Sequence, residues 1–306
     1  MSRELFQETI ANWQDWSRVY QSIPAFTPLA REICRREHLP WHDLSPLTPG
    51  TNGVFRCGDL VLKIFFPKES GLDPEPDILT ETAACRQAAA WGIPTPECIA
   101  PGKITDKYEF HYLVTAYASG QEAGDWLASA SPAQKTHFVE QLKTLLKTFN
   151  RPVEGLLPAQ DLKASARKNP RFQQLSPSLR EECLARLETL DLEELVLTHG
   201  DLTGENILVD QNDGLIIIDW ADAHIAPPWY ELGPIAFDLF RCNDTLWKLF
   251  AKEHTESFLQ QLLDCVCLHD FGPDCLVQLA KQEHVPPFQS LQEVVSLCNR
   301  KLSSSG

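Results

Sequence analysis

Basic residues are in short supply in this chain of 306 residues: Lys and Arg number 27 against 42 Asp and Glu, for a net charge of −15. A face that grips nucleic acid or an anionic membrane needs a positive surplus, so neither is expected as a partner. Long apolar runs are missing as well. No stretch approaches the roughly 18 residues that a membrane span requires. The first residues, Met1-Ser-Arg-Glu-Leu-Phe-Gln-Glu8, carry acids where a secretion signal would have an apolar centre. The ten cysteines include no Cys-x-x-Cys pair, and no His sits at zinc-ligand spacing beside a cysteine pair. Buried free thiols in a reducing, cytoplasmic setting are therefore expected. No internal repeat is found.

What is present, 43% hydrophobic and 23% charged, is ordinary for a globular protein with room for a large core or two lobes. Helical patterning covers residues 4–20 and roughly 26–38. Pro49-Gly-Thr-Asn-Gly53 is a turn-rich loop. Val54-Phe-Arg-Cys57, Gly58-Asp59 and Leu60-Val-Leu-Lys-Ile-Phe-Phe66 then read as strand, turn and strand. A loop rich in Pro and charge leads to a helix over about 77–91, stopped by Gly92-Ile-Pro94. Strands are expected around 97–104 and 111–116, with Tyr117-Ala-Ser-Gly120 as the hinge to a mostly helical region. Helices are expected near 125–128, 132–149 and 176–190 and from Pro234 onward. Residues 151–175 read as a crossing loop or insertion, and Leu302-Ser-Ser-Ser-Gly306 as a tail.

The chemistry concentrates in Leu197-Thr-His-Gly-Asp-Leu-Thr-Gly-Glu-Asn-Ile-Leu-Val209 and Leu215-Ile-Ile-Ile-Asp-Trp220. Asn206 follows Asp201 by five residues and Asp219 follows Asn206 by thirteen, each beside apolar runs that read as short buried strands. A base, an amide and a carboxylate at this spacing resemble the catalytic half of a kinase site. Asp201 is the candidate base, able to take the proton of an attacking hydroxyl. Asn206 and Asp219 offer the hard oxygens that suit Mg²⁺. Upstream, Lys63 lies within a strand between Leu62 and Ile64, a costly place for a charge without a partner. In kinases its partners are the nucleotide phosphates and a helix Glu, here Glu81. Gly50, Thr51 and Asn52 precede that strand where a loop's backbone N–H groups can approach phosphate oxygens. Ala116, Tyr117 and Ala118 are placed to present backbone groups to the edge of an adenine or guanine.

The loop resembles the His-Arg-Asp loop of protein kinases with Gly200 in place of Arg. His199-Gly-Asp201 with Ile218-Asp-Trp220 is more similar to the aminoglycoside phosphotransferase family, with its choline, homoserine and fructosamine kinase relatives. The resemblance covers roughly residues 45–240 and includes the pattern from Glu81 to Gly92-Ile-Pro94. It implies an α+β, two-lobed protein-kinase-like fold: N-terminal helices over 1–44 packed on a small antiparallel N-lobe over 45–117 with one main helix, and a mostly helical C-lobe over 118–306. It also implies ATP or GTP as donor with Mg²⁺, and a structural role for His199 in holding the loop. Two departures stand out. Ala226-Pro-Pro-Trp-Tyr-Glu-Leu232 has Pro227 and Glu231 where the family often carries Asp, and Phe149-Asn150 stands where it often has Leu-His.

Only seven residues separate Asp219 from Pro227, too few for the long activation segment that presents a peptide. A small-molecule hydroxyl acceptor is favoured, and the acidity of the chain is compatible with a cationic one. Asp222, Glu205 and Glu231 are candidate acceptor-side acids, as is Asp238. Two other readings stay open: a metabolite kinase such as a fructosamine kinase, and a catalytically silent nucleotide-binding module.

Overall fold

A computed structural model of the protein describes residues 4–48 and 50–303. Met1–Arg3, Pro49 of the turn-rich loop and Ser304–Gly306 of the expected tail lie outside the described residues. The chain forms two compact units, one of Met1–Ser119 with Asp219–Asp222, the other of Gly120–Ile218 with Ala223–Gly306.

The first unit opens with two helices, α1 (Trp13–Val19) and α2 (Ile23–Arg36). Five strands follow: β1 (Leu44–Pro46), β2 (Gly53–Cys57), β3 (Leu60–Ile64), and, after helix α3 (Glu75–Ala90), β4 (Cys98–Thr105) and β5 (Glu109–Ala116). They make one antiparallel sheet in the order β1-β2-β3-β5-β4. The β2–β3 hairpin turns at Gly58, whose φ of 64° suits a residue without Cβ. One core joins Trp16, Phe26 and Ile33 of the helices to Phe55, Leu62, Ile64 and Phe110 of the sheet. A smaller cluster of Phe65, Ile78 and Leu113, with Cys98 against it, packs α3 on the sheet. Helix α3 ends as Gly92 and Ile93 donate to Ala89 and Ala88, with Gly92 at φ 77°. This is the paired closure that a left-handed glycine permits.

The helix expected over 4–20 begins only at Trp13. Ahead of it, the N–H groups of Leu5 and Phe6 donate to the Asp106 carboxylate at 2.9 and 2.8 Å, and that of Ile10 donates to Tyr108 Oη at 2.8 Å. Those bonds draw the segment along the sheet, and Asn12 then caps α1 through Asp15 N–H. Strand β1 was not anticipated.

The second unit runs through β6 (Gln121–Glu122), α4 (Ala123–Ser129), α5 (Pro132–Phe149), α6 (Leu162–Lys168) and α7 (Pro177–Thr189). Next come β7 (Val196–Thr198), β8 (Ile207–Val209), β9 (Leu215–Ile217) and β10 (His224–Ala226), then α8 (Asp244–Ala251), α9 (Thr255–Leu268), α10 (Gly272–Gln282) and α11 (Leu291–Ser303). Two small antiparallel sheets, β6-β8-β9 and β10-β7, interrupt the helices. Ser131 and Gln134 form a reciprocal cap on α5. Residues 151–175, read as a loop, contain α6 and a 3₁₀ turn at Pro170–Gln174. Asp161 and Asn169 start these pieces by accepting from Ala164 and Arg171 N–H. Helix α9 is the unit's buried spine, with Phe258, Leu262, Leu263, Val266 and Leu268 all enclosed. The architecture is α+β. Among the described residues, no helix is long and apolar enough to cross a membrane.

Candidate active site

In the first unit, Lys63 occupies β3 between β2 and β5, opposite Val54 and Leu113. Its side chain is 9% exposed, with Nζ 2.8 Å from Glu81 Oε2 and 2.8 Å from Asp219 Oδ1. Glu81 sits on the apolar face of α3 with Ile78, Ala84, Cys85 and Ala88. Burial works against the lysine's charge, but the carboxylates of Asp219 and Glu81 outweigh it and hold the ammonium ionised well above its ordinary range. Burial pushes the Glu81 carboxyl up to about 7 against the pull of Lys63. Asp219 has φ 61°, a conformation that aspartate tolerates better than most residues. The neighbouring Trp220 is buried and donates its indole N–H to Thr95 Oγ1 at 3.1 Å, which anchors the segment. Asp222 is exposed.

The loop over residues 50–53 is tied to the N-terminal helices. Trp16 Nε1 donates to the Thr51 carbonyl at 2.8 Å. Gly50 and Thr51 are exposed. Asn52, expected to meet nucleotide, turns its side chain inward, where Oδ1 accepts from Phe66 N–H at 3.3 Å. Its amide braces the hairpin, so only the backbone of this residue remains for a phosphate. Gly53 is needed for packing: a Cβ there would come within 2.9 Å of the Tyr20 carbonyl. At the end of β5, Ala116 N–H donates to Glu97 O and Tyr117 N–H to Asp59 O, at 3.0 and 2.8 Å. Those two donors are therefore committed to the fold.

In the second unit, the loop from His199 to Asn206 joins β7 to β8. Asn206 Nδ2 donates to Asp201 Oδ2 at 2.8 Å and to the Asp201 carbonyl at 2.9 Å, fixing the carboxylate to its own loop. This turns the amide nitrogen toward Asp201 and leaves Oδ1 as a neutral oxygen donor. The His199 ring is wholly buried. Its Nδ1 accepts from Asp201 N–H at 3.3 Å, which places the ring proton on Nε2, 3.0 Å from the Ile218 carbonyl. Gly200 has φ 81°, reached at little cost only by glycine. Gly204 faces Gly124 so closely that a Cβ on it would come within 2.8 Å of the Gly124 Cα.

Glu231, expected as an acceptor-side acid, is 1% exposed. Oε1 accepts from the N–H groups of His199 and Gly200. A carboxyl enclosed in this way holds the loop from behind and is out of reach of a substrate. Burial pushes it up to about 8, partly offset by those two N–H groups. Asp238 likewise serves the loop, accepting from Gly204 N–H at 2.8 Å. Glu205 is exposed, and its carboxyl is raised by partial burial and then by Glu122, Asp238 and Asp125 around it.

Two contributors carry no sequence signal. Trp16 looks like any apolar helix residue, and His269 lies at the end of α9, far along the chain from the loop. His269 is 1% exposed, its Nδ1 accepts from Phe271 N–H at 3.0 Å, and its Nε2 lies 2.8 Å from the Gly200 carbonyl. Burial pushes its imidazole down to about 3, so the ring is neutral.

The profile of the phosphotransferase enzyme family (APH) matches residues 44–264. No curated protein matches the chain. Among solved structures, the GDP and kanamycin complex of APH(2")-IIia is 19% identical, with 90% of this chain and 98% of that chain covered at a TM-score of 0.61. A thermostable mutant of aminoglycoside phosphotransferase APH(4)-Ia in a ternary complex with ADP and hygromycin B is 16% identical, over 90% and 98% at 0.57. Aminoglycoside-3'-phosphotransferase of type VIII is 20% identical, over 77% and 96% at 0.54. At these identities the likeness shows the fold, which is protein-kinase-like. The profile spans well over half of the residues, and on that ground the chain belongs to the phosphotransferase enzyme family.

Proposed function

We propose that the protein transfers the γ-phosphoryl group of ATP or GTP to a hydroxyl of a small, cationic molecule. The observation that carries this reading is the buried ammonium of Lys63, 2.8 Å from both Glu81 and Asp219. A lysine held ionised by two carboxylates drawn from distant parts of the chain is suited to clamp nucleotide phosphates. In this reading Asp201 takes the proton of the acceptor hydroxyl and aims its oxygen, while Asn206 and His199 keep Asp201 in register. The exposed backbone of Gly50 and Thr51 covers the phosphates.

Asp219 and Asn206 Oδ1 are each an oxygen of the kind that suits Mg²⁺, a hard cation that accepts a few protein oxygens and completes its shell with phosphates and water. Among the described residues, no group of three or more His, Cys, Asp or Glu could hold a metal by itself. When bound, Mg²⁺ would neutralise charge on those phosphates.

Two features support a small, cationic acceptor. The short segment after Asp219 is taken up by β10, which pairs with β7 and leaves no length for a peptide platform. The exposed Glu205 carboxyl is raised first by partial burial and then by Glu122, Asp238 and Asp125, with Arg241 offsetting part of the rise, so acids outnumber the resident cation there and a cationic group is compatible with the site. Two of the structures of similar fold hold GDP with kanamycin and ADP with hygromycin B.

A thermal-shift titration with Mg-ATP and Mg-GTP, followed by phosphate release and mass analysis over a panel of amino sugars, amino alcohols and glycated amines, tests the proposal. One acceptor should gain a single phosphoryl group. Nucleotide binding with neither transfer nor slow hydrolysis would favour a silent binding module.

A further inference from the structure

The peptide unit that joins Gly200 to Asp201 is held at both ends by imidazoles. Its N–H, which belongs to Asp201, donates to His199 Nδ1 at 3.3 Å. Its carbonyl, which belongs to Gly200, lies 2.8 Å from His269 Nε2. The preceding peptide is held by Glu231 through Gly200 N–H. His199 and Glu231 lie within the segment matched by the family profile, whereas His269 falls beyond its end at residue 264.

The surroundings of His269 determine which nitrogen carries the proton. Phe271 N–H points at Nδ1, so Nδ1 accepts and the ring's one hydrogen sits on Nε2, facing the Gly200 oxygen. The Tyr230 ring lies against the imidazole with centroids 4.2 Å apart, and Phe271 flanks it at 5.7 Å. Tyr230 is itself fixed, with Cys265 Sγ donating to its carbonyl at 3.1 Å. The imidazole is thus aimed by stacking and by its own backbone, and its single donor is spent on the loop.

We infer that His269 is a positioning residue for phosphoryl transfer: its Nε2–H fixes the Gly200 carbonyl and so sets the plane of the peptide from which the Asp201 carboxylate projects. The reasoning is geometric. Gly200 has φ 81° and no side chain to restrict it, so the peptide after it could rotate. Rotation about that unit swings the Asp201 side chain and breaks its N–H bond to His199. A donor on the carbonyl side opposes the rotation, and by polarising the peptide it strengthens the N–H bond on the other side. Burial keeps the ring neutral, so this clamp does not switch off across the working pH range.

The inference rests on the reading of Asp201 as the base, and the experiment separates the two. His269→Phe keeps a ring against Tyr230 and removes the donor, whereas His269→Gln restores an N–H near the position of Nε2. Three readouts are needed: kcat for phosphate release from Mg-ATP or Mg-GTP with water as acceptor, the nucleotide Kd, and amide exchange at Asp201. His269→Phe should lower kcat roughly ten- to a hundredfold with Kd within about twofold, the cost of a misplaced reacting group. Its Asp201 amide should exchange faster, and His269→Gln should recover most of the loss in both. Unchanged kcat and exchange in a folded His269→Phe protein overturns the inference. So does a parallel fall of kcat, nucleotide affinity and melting temperature in both variants, which marks a merely structural residue. If the wild type neither releases phosphate to water nor transfers it to any acceptor of the panel, the phosphotransferase reading fails, and the exchange comparison still decides whether His269 orders this peptide. Should His269→Phe not fold, ¹⁵N spectra of the wild type decide, since a ring protonated at Nδ1 instead of Nε2 rules the clamp out.

Discussion

Lys63 in the first unit is held by charge, whereas Asp201 in the second is aimed through its backbone. Around Lys63 the partners are two carboxylates at 2.8 Å. Around Asp201 they include an amide, two imidazoles and a buried carboxyl, and of these contacts only the amide's bond to Oδ2 does not act on the main chain of residues 199–201. The difference follows from what each group does in the proposed reaction. A phosphate clamp must stay ionised, and burial alone would neutralise it, so it is given opposing charges. A base must instead be aimed at the hydroxyl whose proton it takes, and bonds to the main chain around it, with Asn206 Nδ2 on Oδ2, supply that orientation.

The sharpest way to break this comparison is to remove each centre. Asp201→Ala should lower kcat for transfer by about 10²- to 10⁴-fold and leave nucleotide Kd nearly unchanged. Asp219→Ala should instead abolish the Mg²⁺ dependence of nucleotide binding. Equal losses of nucleotide affinity in the two variants, measured by titration calorimetry, would erase the division of labour.

Next in size is Lys63→Ala. It strands Glu81 with its charge partner gone in a site only 8% exposed, and breaking a buried pair costs about 3–5 kcal/mol. Asp219, whose side chain is 42% exposed, adds little to that cost because water can solvate it. The nucleotide KM should also rise more than about tenfold, which is a loss above about 1.4 kcal/mol. Denaturant melts and steady-state kinetics check the two effects. A stable protein with unchanged KM would show that the strand lysine is not the clamp.

The same contrast governs what could be read from the sequence. Lys63, Glu81, Asp201 and Asn206 were legible because each is set in a local pattern: a charge within an apolar strand, an acid on a helix before Gly92, and polar residues at fixed spacing between short strands. Asn52 is expected to meet phosphate through its backbone N–H, and its inward side chain leaves that expectation open. Glu231 is expected on the acceptor side, but its carboxyl turns inward to backbone donors; whether a polar residue faces in or out depends on packing that local spacing does not encode. His269 and the bonds from Asp106 and Tyr108 to residues 5–10 were out of reach for the same reason. Periodicity reports faces of elements, and these bonds join elements about 70 to 100 residues apart.

The backbone clamp predicts a pH signature with two opposed arms. Glu231 is pushed up to about 8 in the folded protein, so its contribution is full below the unfolded value of 4.5 and is lost as pH rises through 8. His269 is pushed down to about 3, so its contribution is full above 6.5 and is lost as pH falls toward 3. Stability should crest between these arms. Glu231→Gln keeps a carbonyl oxygen for the two N–H groups and has no charge to bury, so the alkaline arm should flatten by up to about 4 kcal/mol. Melting temperatures from pH 5 to 9 check this. An unaltered alkaline slope would mean that Glu231 is already ionised in the fold, and the loop would then be held by charge as Lys63 is.

The smallest expected effect concerns the loop over residues 50–53, where the first unit borrows the second unit's method. Trp16 Nε1 holds the Thr51 carbonyl at 2.8 Å, a backbone clamp in the unit otherwise ordered around charge. Trp16→Phe removes one neutral hydrogen bond and should cost about 0.5–1.5 kcal/mol of stability. If the loop's N–H groups cradle phosphates, nucleotide affinity should also fall a few-fold while kcat at saturating nucleotide stays constant, because Asp201 is untouched. A change confined to kcat would mean that the loop serves the transfer step rather than binding. The two methods of holding a group would then track the step of the reaction each supports, and not the unit in which it lies.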